Sequence, residues 1–328
     1  MRVVALLLLF LIPVLGFSQS FMNPNAWKKY RHELIFGGGA SNFLGELGGR
    51  DQIGTNFLWD LEFPKTKTGT QVAWIYHTGA TTGIRTTFRY GQLAGDDALT
   101  KEPFRHNRNL NFKSNLFELS VVFQWYFLKE KGGNRYGLKN RKNHKIGAKS
   151  GSIGSYVFAG VGGFYFNPKG NYGGVWVPLK PLRTEGQGLP GGAEEYKNYN
   201  VCIPVGFGFR KAINLNWGVS LEFSHTFTFT DYIDDVSGFY YDPNELYSYH
   251  GGGNTGTQAA YLSNPTNNSI ADYFGTPNYF DPTTPGFQRG DPDDRDGYLF
   301  AMLSVNYKIK NKTGGYGRIK RKRVRASF

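Results

Sequence analysis

Hydrophobic and polar positions alternate with few breaks along several long stretches of this chain. In WGVSLEFSHTFTFT (217–230), Trp217, Val219, Leu221, Phe223, Phe227 and Phe229 share one parity. Gly218, Ser220, Glu222, Ser224, Thr226 and Thr228 share the other. A period of two is the β-strand pattern, and this run far exceeds the usual five or six residues. The same alternation sets Ile84, Thr86, Phe88 and Tyr90 against Arg85, Thr87, Arg89 and Gly91. It sets Phe117, Leu119, Val121, Phe123, Trp125 and Phe127 against Glu118, Ser120 and Gln124, with Val122 and Tyr126 as interruptions. Tyr199, Val201, Ile203, Val205, Phe207 and Phe209 oppose Cys202, Pro204, Gly206, Gly208 and Arg210; Ala301, Leu303, Val305, Tyr307 and Ile309 oppose Ser304, Asn306, Lys308 and Lys310. Weaker candidates at 31–40, 69–77 and 153–166 bring the predicted strands to eight.

Alternating strands build sandwiches as well as barrels, and the placement of charge separates the two. Lys or Arg facing lipid at the bilayer midplane costs roughly 2–4 kcal/mol, whereas a sandwich exterior carries charge freely. In the five clearest strands the aromatic-rich parity holds no Lys, Arg, Asp or Glu at all, and only the titratable His225 interrupts it. Arg85, Arg89, Glu118, Arg210 and Glu222 all fall on the opposite parity. The apolar face therefore points to lipid, and these five residues are predicted to form an internal charge network that satisfies a polar lumen. The expected fold is all-β: an eight-stranded antiparallel transmembrane barrel of the outer-membrane type. At that strand number side chains fill the interior, so no open pore is expected. Gly160, Gly162, Gly206 and Gly208 share the lumen parity and are expected to pair across two strands, leaving room for a bulky lumen residue.

Connections support the barrel. They run long (41–68), tight (78–81), long (92–110), medium (129–151), long (167–198), tight (211–216) and very long (231–296). Short periplasmic turns alternating with long extracellular loops are the outer-membrane arrangement, and an even strand number puts both termini in the periplasm. Residues 1–18, with Arg2, an apolar run from Val3 to Leu15 and small Gly16 and Ser18, read as a secretory signal peptide. The barrel is assigned to 19–310 and a basic periplasmic tail to 311–328. No later segment has the ~18 consecutive apolar residues of a membrane helix, and the single cysteine, Cys202, excludes an internal disulfide framework. The 44 Gly, 27 Phe and 21 Tyr suit alternating strands with polar loops better than helices on a buried parallel sheet.

The net charge of +13 is sorted by side. Residues 129–149 carry eight Lys/Arg and one acid, and the chain from Lys308 onward carries nine Lys/Arg and no acid. Both segments are assigned to the periplasm. The last loop, 231–296, holds eleven Asp/Glu against two Arg. A basic tail suggests nucleic acid in other contexts, but the leader and the lack of interleaved aromatic platforms argue against that here. Anionic headgroups of the inner leaflet and an acidic periplasmic protein remain as partners. Lys139, Arg141, Lys142 and Lys145 in the turn, with Arg318, Lys320, Arg321, Lys322, Arg323 and Arg325 in the tail, are the expected contact.

Catalytic signatures are few. The six histidines form no HExxH, and no G-x-S-x-G elbow occurs. No Ser-His-acid set can be assembled from the clear strands, so no enzyme activity, cofactor or small-molecule substrate is expected. GDPDDRDG (290–297) offers Asp291, Asp293, Asp294 and Asp296 as a weak calcium candidate. Arg295 stands where an EF-hand needs its third acid and no Glu follows, so a solvated turn is the simpler reading.

Five segments carry a family resemblance: SNFLGELGG (41–49), GDDALTKEPFRHNRNLNF (95–112), GFYFNPKGNY (163–172), PLRTEGQGLP (181–190) and FTDYIDDVS (229–237). Their order and joint presence resemble the PorG-like outer-membrane barrels of the Bacteroidetes type IX secretion system, from about His32 to Tyr307. The resemblance implies a non-catalytic barrel that contacts a periplasmic ring of a lipoprotein and its partner (PorK and PorN). The basic extension beyond Ile309 departs from the family pattern, so its role is inferred from charge. The rival expectation is a structural or adhesive surface barrel acting through the last loop.

Overall fold

The computed structural model describes residues 26–45, 47, 65–129, 138–139, 145–146, 153–214, 216–270 and 281–311. The predicted leader and tail, and most of the 130–152 turn, lie outside them. Eight long strands make the wall: β1 (His32–Leu44), β2 (Lys67–His77), β3 (Thr82–Asp96), β4 (Asn111–Leu128), β7 (Gly154–Tyr172), β9 (Tyr199–Ala212), β10 (Trp217–Thr228) and β11 (Gly297–Ile309). Between them lie the two-residue strands β5 (Leu138–Lys139) and β6 (Lys145–Ile146), which pair with each other, and the short β8 (Val175–Pro178). Every pairing is antiparallel, in the order β4-β3-β2-β1-β11-β10-β9-β7, and β4 pairs β7 to close the ring. Closure leaves the barrel without a free strand edge.

Side-chain parity is as the alternation predicts. Outward Leu119, Val161 and Leu303 are 58%, 67% and 65% exposed, whereas inward Arg85, Arg89 and Glu118 are at most 1% exposed. On β4 the outward apolar row runs from Phe117 to Phe127. At ~3.4 Å per residue and a tilt near 40–45°, that row spans about 25 Å along the barrel axis, the height of a membrane barrel's apolar band. Aromatic residues mark both edges. Trp217 packs at a tilt against Tyr307 (4.7 Å between centroids) and His32 stacks on Trp74 (5.7 Å) at the tight-turn end; Tyr90, Phe117 and Tyr165 form a row at the other. An apolar belt of this area, flanked by aromatic girdles, is a lipid-facing surface. The chain is a transmembrane barrel.

Two expectations needed adjustment. Strands β3, β4 and β7 extend further toward the long-loop end than the alternation shows; β7 continues through Asn167–Tyr172 and folds back as a hairpin with β8 across Gly173 and Gly174, both at positive φ. This stretch falls within the expected 167–198 connection, and Pro168 and Gly170 interrupt its alternation. The glycine pairing also differs. Register sets Gly206 opposite Phe158 and Gly208 opposite Tyr156, rather than opposite Gly160 and Gly162. A Cβ at Gly206 or Gly208 would run into those rings. The glycines do leave room for bulky lumen residues, but for residues of the neighbouring strand.

Above the wall the long loops fold into a cap. It includes the helices Pro103–Arg108, Pro243–Tyr249 and Gly253–Ser263, each of the first two with a proline in its first turn and an acidic N-cap side chain bonded to the backbone. Leu179, Leu182, Leu246, Ala259 and Leu262 form its own small core. A larger core, with Phe43, Leu47, Leu93, Phe112, Phe166, Ile233 and Phe300, lies where the cap meets the upper lumen.

Candidate functional site

The five lumen charges predicted from parity converge, and the structure adds a sixth. At mid-height Glu222 accepts both guanidinium arms of Arg85 and the Arg89 Nη2 at 2.7 Å, while Tyr156 donates its hydroxyl at 2.9 Å. Toward the cap, Glu118 accepts from Arg89 Nη1 (3.3 Å), Tyr298 (2.9 Å) and Ser120 (2.8 Å). Toward the tight turns, Arg210 reaches Glu33 Oε1 at 2.8 Å, and Glu33 also meets His77 Nε2 (2.9 Å) and Asn306 (3.0 Å). Three arginines and three glutamates thus cancel within a buried column. Multiple hydrogen bonds offset the desolvation that would otherwise make buried ion pairs a net cost. Arg85 also lies 4.3 Å over the Phe158 ring and Arg210 5.3 Å over Tyr126. These side chains fill the lumen at each level.

Glu33 was missed because hydrophobic and polar residues do not alternate along β1, although its side chains do: HELIFGGG places Ile35 inward beside Glu33 and glycines above it. Its signal was a lone acid two residues before an apolar inward position, too weak to read by itself. His225 stays on the outward parity, its ring 4.2 Å from Phe227 and away from the network.

A second buried charge cluster holds the cap, and sequence reasoning missed it entirely. Arg289 Nη1 donates to Glu185 Oε1 at 2.8 Å and to the Asp235 carbonyl at 2.7 Å, and its Nε donates to the Ser263 carbonyl at 3.2 Å. Glu185 in turn accepts from the Ser237 and Gly238 amides at 3.0 and 3.1 Å. Asp235, itself at φ 70°, accepts from Thr184 and from Tyr196 (2.6 Å). Arg108 makes a bidentate pair with Asp97 (2.7 and 3.1 Å) and donates to the Arg289 carbonyl at 2.6 Å. Burial raises the Asp235 carboxyl to about 6, against the opposing pull of Arg289. Burial also raises the Tyr196 hydroxyl well above its ordinary range, with the Asp235 charge adding to it. The five segments that carry the family resemblance meet here: Leu47, Asp97 with Arg108, Phe166, Glu185 and Asp235 come one from each.

The remaining predicted residues are dispersed. Asp291, Asp293 and Asp294 sit in an exposed turn, whereas Asp296 is buried and accepts from the Ile233 amide at 2.8 Å. Among the described residues no group of three or more His, Cys, Asp or Glu side chains is arranged to hold a metal ion. Lys139 and Lys145 are register partners in the β5–β6 ladder. Arg141, Lys142, Arg318, Lys320, Arg321, Lys322, Arg323 and Arg325 lie outside the described residues.

No family model and no curated protein matches the chain. Among solved structures it is similar to Neisserial surface protein A, at 7% identity and TM-score 0.35, covering 85% of this chain and 96% of that one. It is similar to Ail, the attachment invasion locus protein of Yersinia pestis, at 7% identity and TM-score 0.36, covering 86% and 99%. It is also similar to the outer membrane protein OprG from Pseudomonas aeruginosa, at 9% identity and TM-score 0.31, covering 86% and 98%. With scores this low, the architecture rests on the strand register given above.

Proposed function

We propose that this chain is a non-enzymatic outer-membrane barrel of the type IX secretion and gliding machinery, PorG-like, docking on a periplasmic ring of PorK/PorN type through a basic periplasmic face. One observation carries the reading: the sidedness of charge relative to topology. β1 begins where β11 ends, with His32 opposite Ile309, and β4 ends where β7 begins, with Leu128 opposite Ser155. The basic turn and the basic tail therefore leave the barrel from one end, opposite the cap. The 17 Lys/Arg that these two segments carry in sequence suit an acidic protein partner by complementary potential. The filled lumen favours a scaffold over a conduit.

The experiment is a pull-down from detergent-solubilised outer membranes, comparing the native chain with one truncated after Lys310. Ring proteins are expected with the native form and reduced with the truncation. Charge reversal at Lys139, Arg141, Lys142 and Lys145 is expected to weaken the same association while the barrel stays folded. If neither form brings down a partner in mild detergent, the ring reading fails. The rival, a structural or adhesive surface barrel, draws support from the ordered helices of the acidic last loop. Deleting that loop leaves secretion intact under the rival alone.

A further inference from the structure

On the outer wall near the cap, two half-buried lysines face each other across adjacent strands. Lys113 of β4 and Lys169 of β7 are register partners. Both take the outward parity, continuing the rows Phe117, Asn115 and Tyr165, Asn167. Like charges directly opposite in an antiparallel pair are destabilising. Among the described residues neither lysine forms an ion pair with a carboxylate. A cleft of about 120 Å³ is lined by both lysines together with Gln92, Asn115 and Trp176. That is about tenfold the space a single water needs. Asn115 Oδ1 already accepts from Tyr90 (3.4 Å) and Gln92 (3.2 Å), so this amide has only its NH₂ donors to offer a ligand.

The height of the cleft is informative. Tyr90, Phe117 and Tyr165 close the apolar band on these three strands. Lys113 lies two outward steps beyond Phe117, about 13 Å along the strand and about 10 Å along the membrane normal. Headgroups occupy roughly 5–8 Å beyond the hydrocarbon on each side, and a lysine stem can reach back to that level. Trp176, on the β7–β8 hairpin and 39% exposed, supplies an amphipathic ring of the kind enriched at membrane interfaces.

We propose that this cleft binds a phosphate group of a phosphorylated glycolipid in the outer leaflet, Lys113 and Lys169 holding the anion from adjacent strands and Trp176 lying beside it. The bound anion removes the repulsion between the two ammonium groups, and the acyl chains lie along the apolar row below. The placement rests on the outer-membrane orientation given under the proposed function; it does not depend on the ring contact.

The test uses the full chain folded in neutral detergent, with native mass spectrometry reading retention of bis-phosphorylated lipid A, its dephosphorylated counterpart, phosphatidylglycerol and inorganic phosphate. The native chain is expected to retain bis-phosphorylated lipid A, and the K113Q/K169Q variant to retain it about tenfold more weakly, as loss of two charge contacts implies. Equal retention by the two overturns the proposal, as does equal retention of the dephosphorylated lipid, because acyl chains alone then hold it. Preference for phosphatidylglycerol overturns the outer-leaflet placement, and inorganic phosphate bound as tightly as lipid A overturns the lipid source. Heat-modifiable migration checks folding; should the double variant fail it, K113Q and K169Q singly are each expected to lose about threefold. Lost ring contact with intact lipid A binding breaks only the secretion reading, and the reverse pattern breaks only this one.

Discussion

The barrel lumen and the cap both bury charge, but they hold it in different ways. In the lumen, Arg85, Arg89 and Arg210 meet Glu222, Glu118 and Glu33 side chain to side chain, from strands whose positions are set by ladder hydrogen bonds. In the cap, Arg289 and Arg108 spend many of their donors on backbone carbonyls of loops distant in sequence. The lumen network fills a frame that would exist without it. The cap network is the frame, since no ladder fixes 184–198 against 231–240. Removing a charge should therefore destabilise the wall globally in one case and loosen loops locally in the other.

The largest effect is expected at Glu222. Glu222→Leu leaves Arg85 and Arg89 buried with their main acceptor gone, a change that costs about 3–5 kcal/mol when one partner of a buried pair is lost. Urea unfolding of the barrel in detergent, followed by tryptophan fluorescence, should show the loss in the global transition. Arg289→Met is expected to cost somewhat less, about 2–4 kcal/mol, because Glu185 keeps two amide donors. Its signature is selective: limited proteolysis should open the cap while the barrel transition holds its midpoint. An equal drop in both would show that cap and wall unfold as one unit.

A smaller, pH-dependent effect belongs to the cap alone. Asp235 titrates near 6 in the folded cap against an ordinary 3.8. Between those values the folded state holds a proton that the unfolded state lacks, so cap stability falls as pH rises from about 4 to about 6 and is level above. The span is at most about 3 kcal/mol. Hydrogen exchange of the 231–240 amides across that window should show protection declining with pH, and Asp235→Asn should flatten the curve. The smallest effect is expected at the exposed turn: Asp291→Asn and Asp293→Asn should each shift stability within about 0.5 kcal/mol. A large calcium-dependent shift in the native chain, lost in these variants, would restore the turn as a metal site.

Parity made the wall and most of its lumen legible. A lipid-facing row tolerates almost no charge, so Arg85, Arg89, Glu118, Arg210 and Glu222 declared their direction by exclusion. Glu33 escaped because the glycines of β1 carry no hydrophobic signal on either face. Tyr156 and Tyr298, which complete the sets of donors around Glu222 and Glu118, read as ordinary aromatics; their role depends on which strand lies opposite. That also explains the glycines, whose lumen parity was evident and whose partners, Phe158 and Tyr156, were settled only by register.

What the sequence determined by itself was chiefly what repeats at period two: the eight wall strands, most of their faces and the membrane band. Such features are local, because each residue's face follows from its neighbour's. Tertiary structure alone decided what joins residues far apart in the chain. It brought Arg289 to Glu185, 104 positions away, gathered five separate segments into one cap and set Lys113 against Lys169. Those contacts depend on the register that closure of the ring fixes, and they pair buried polar groups of the loops that would otherwise remain unsatisfied.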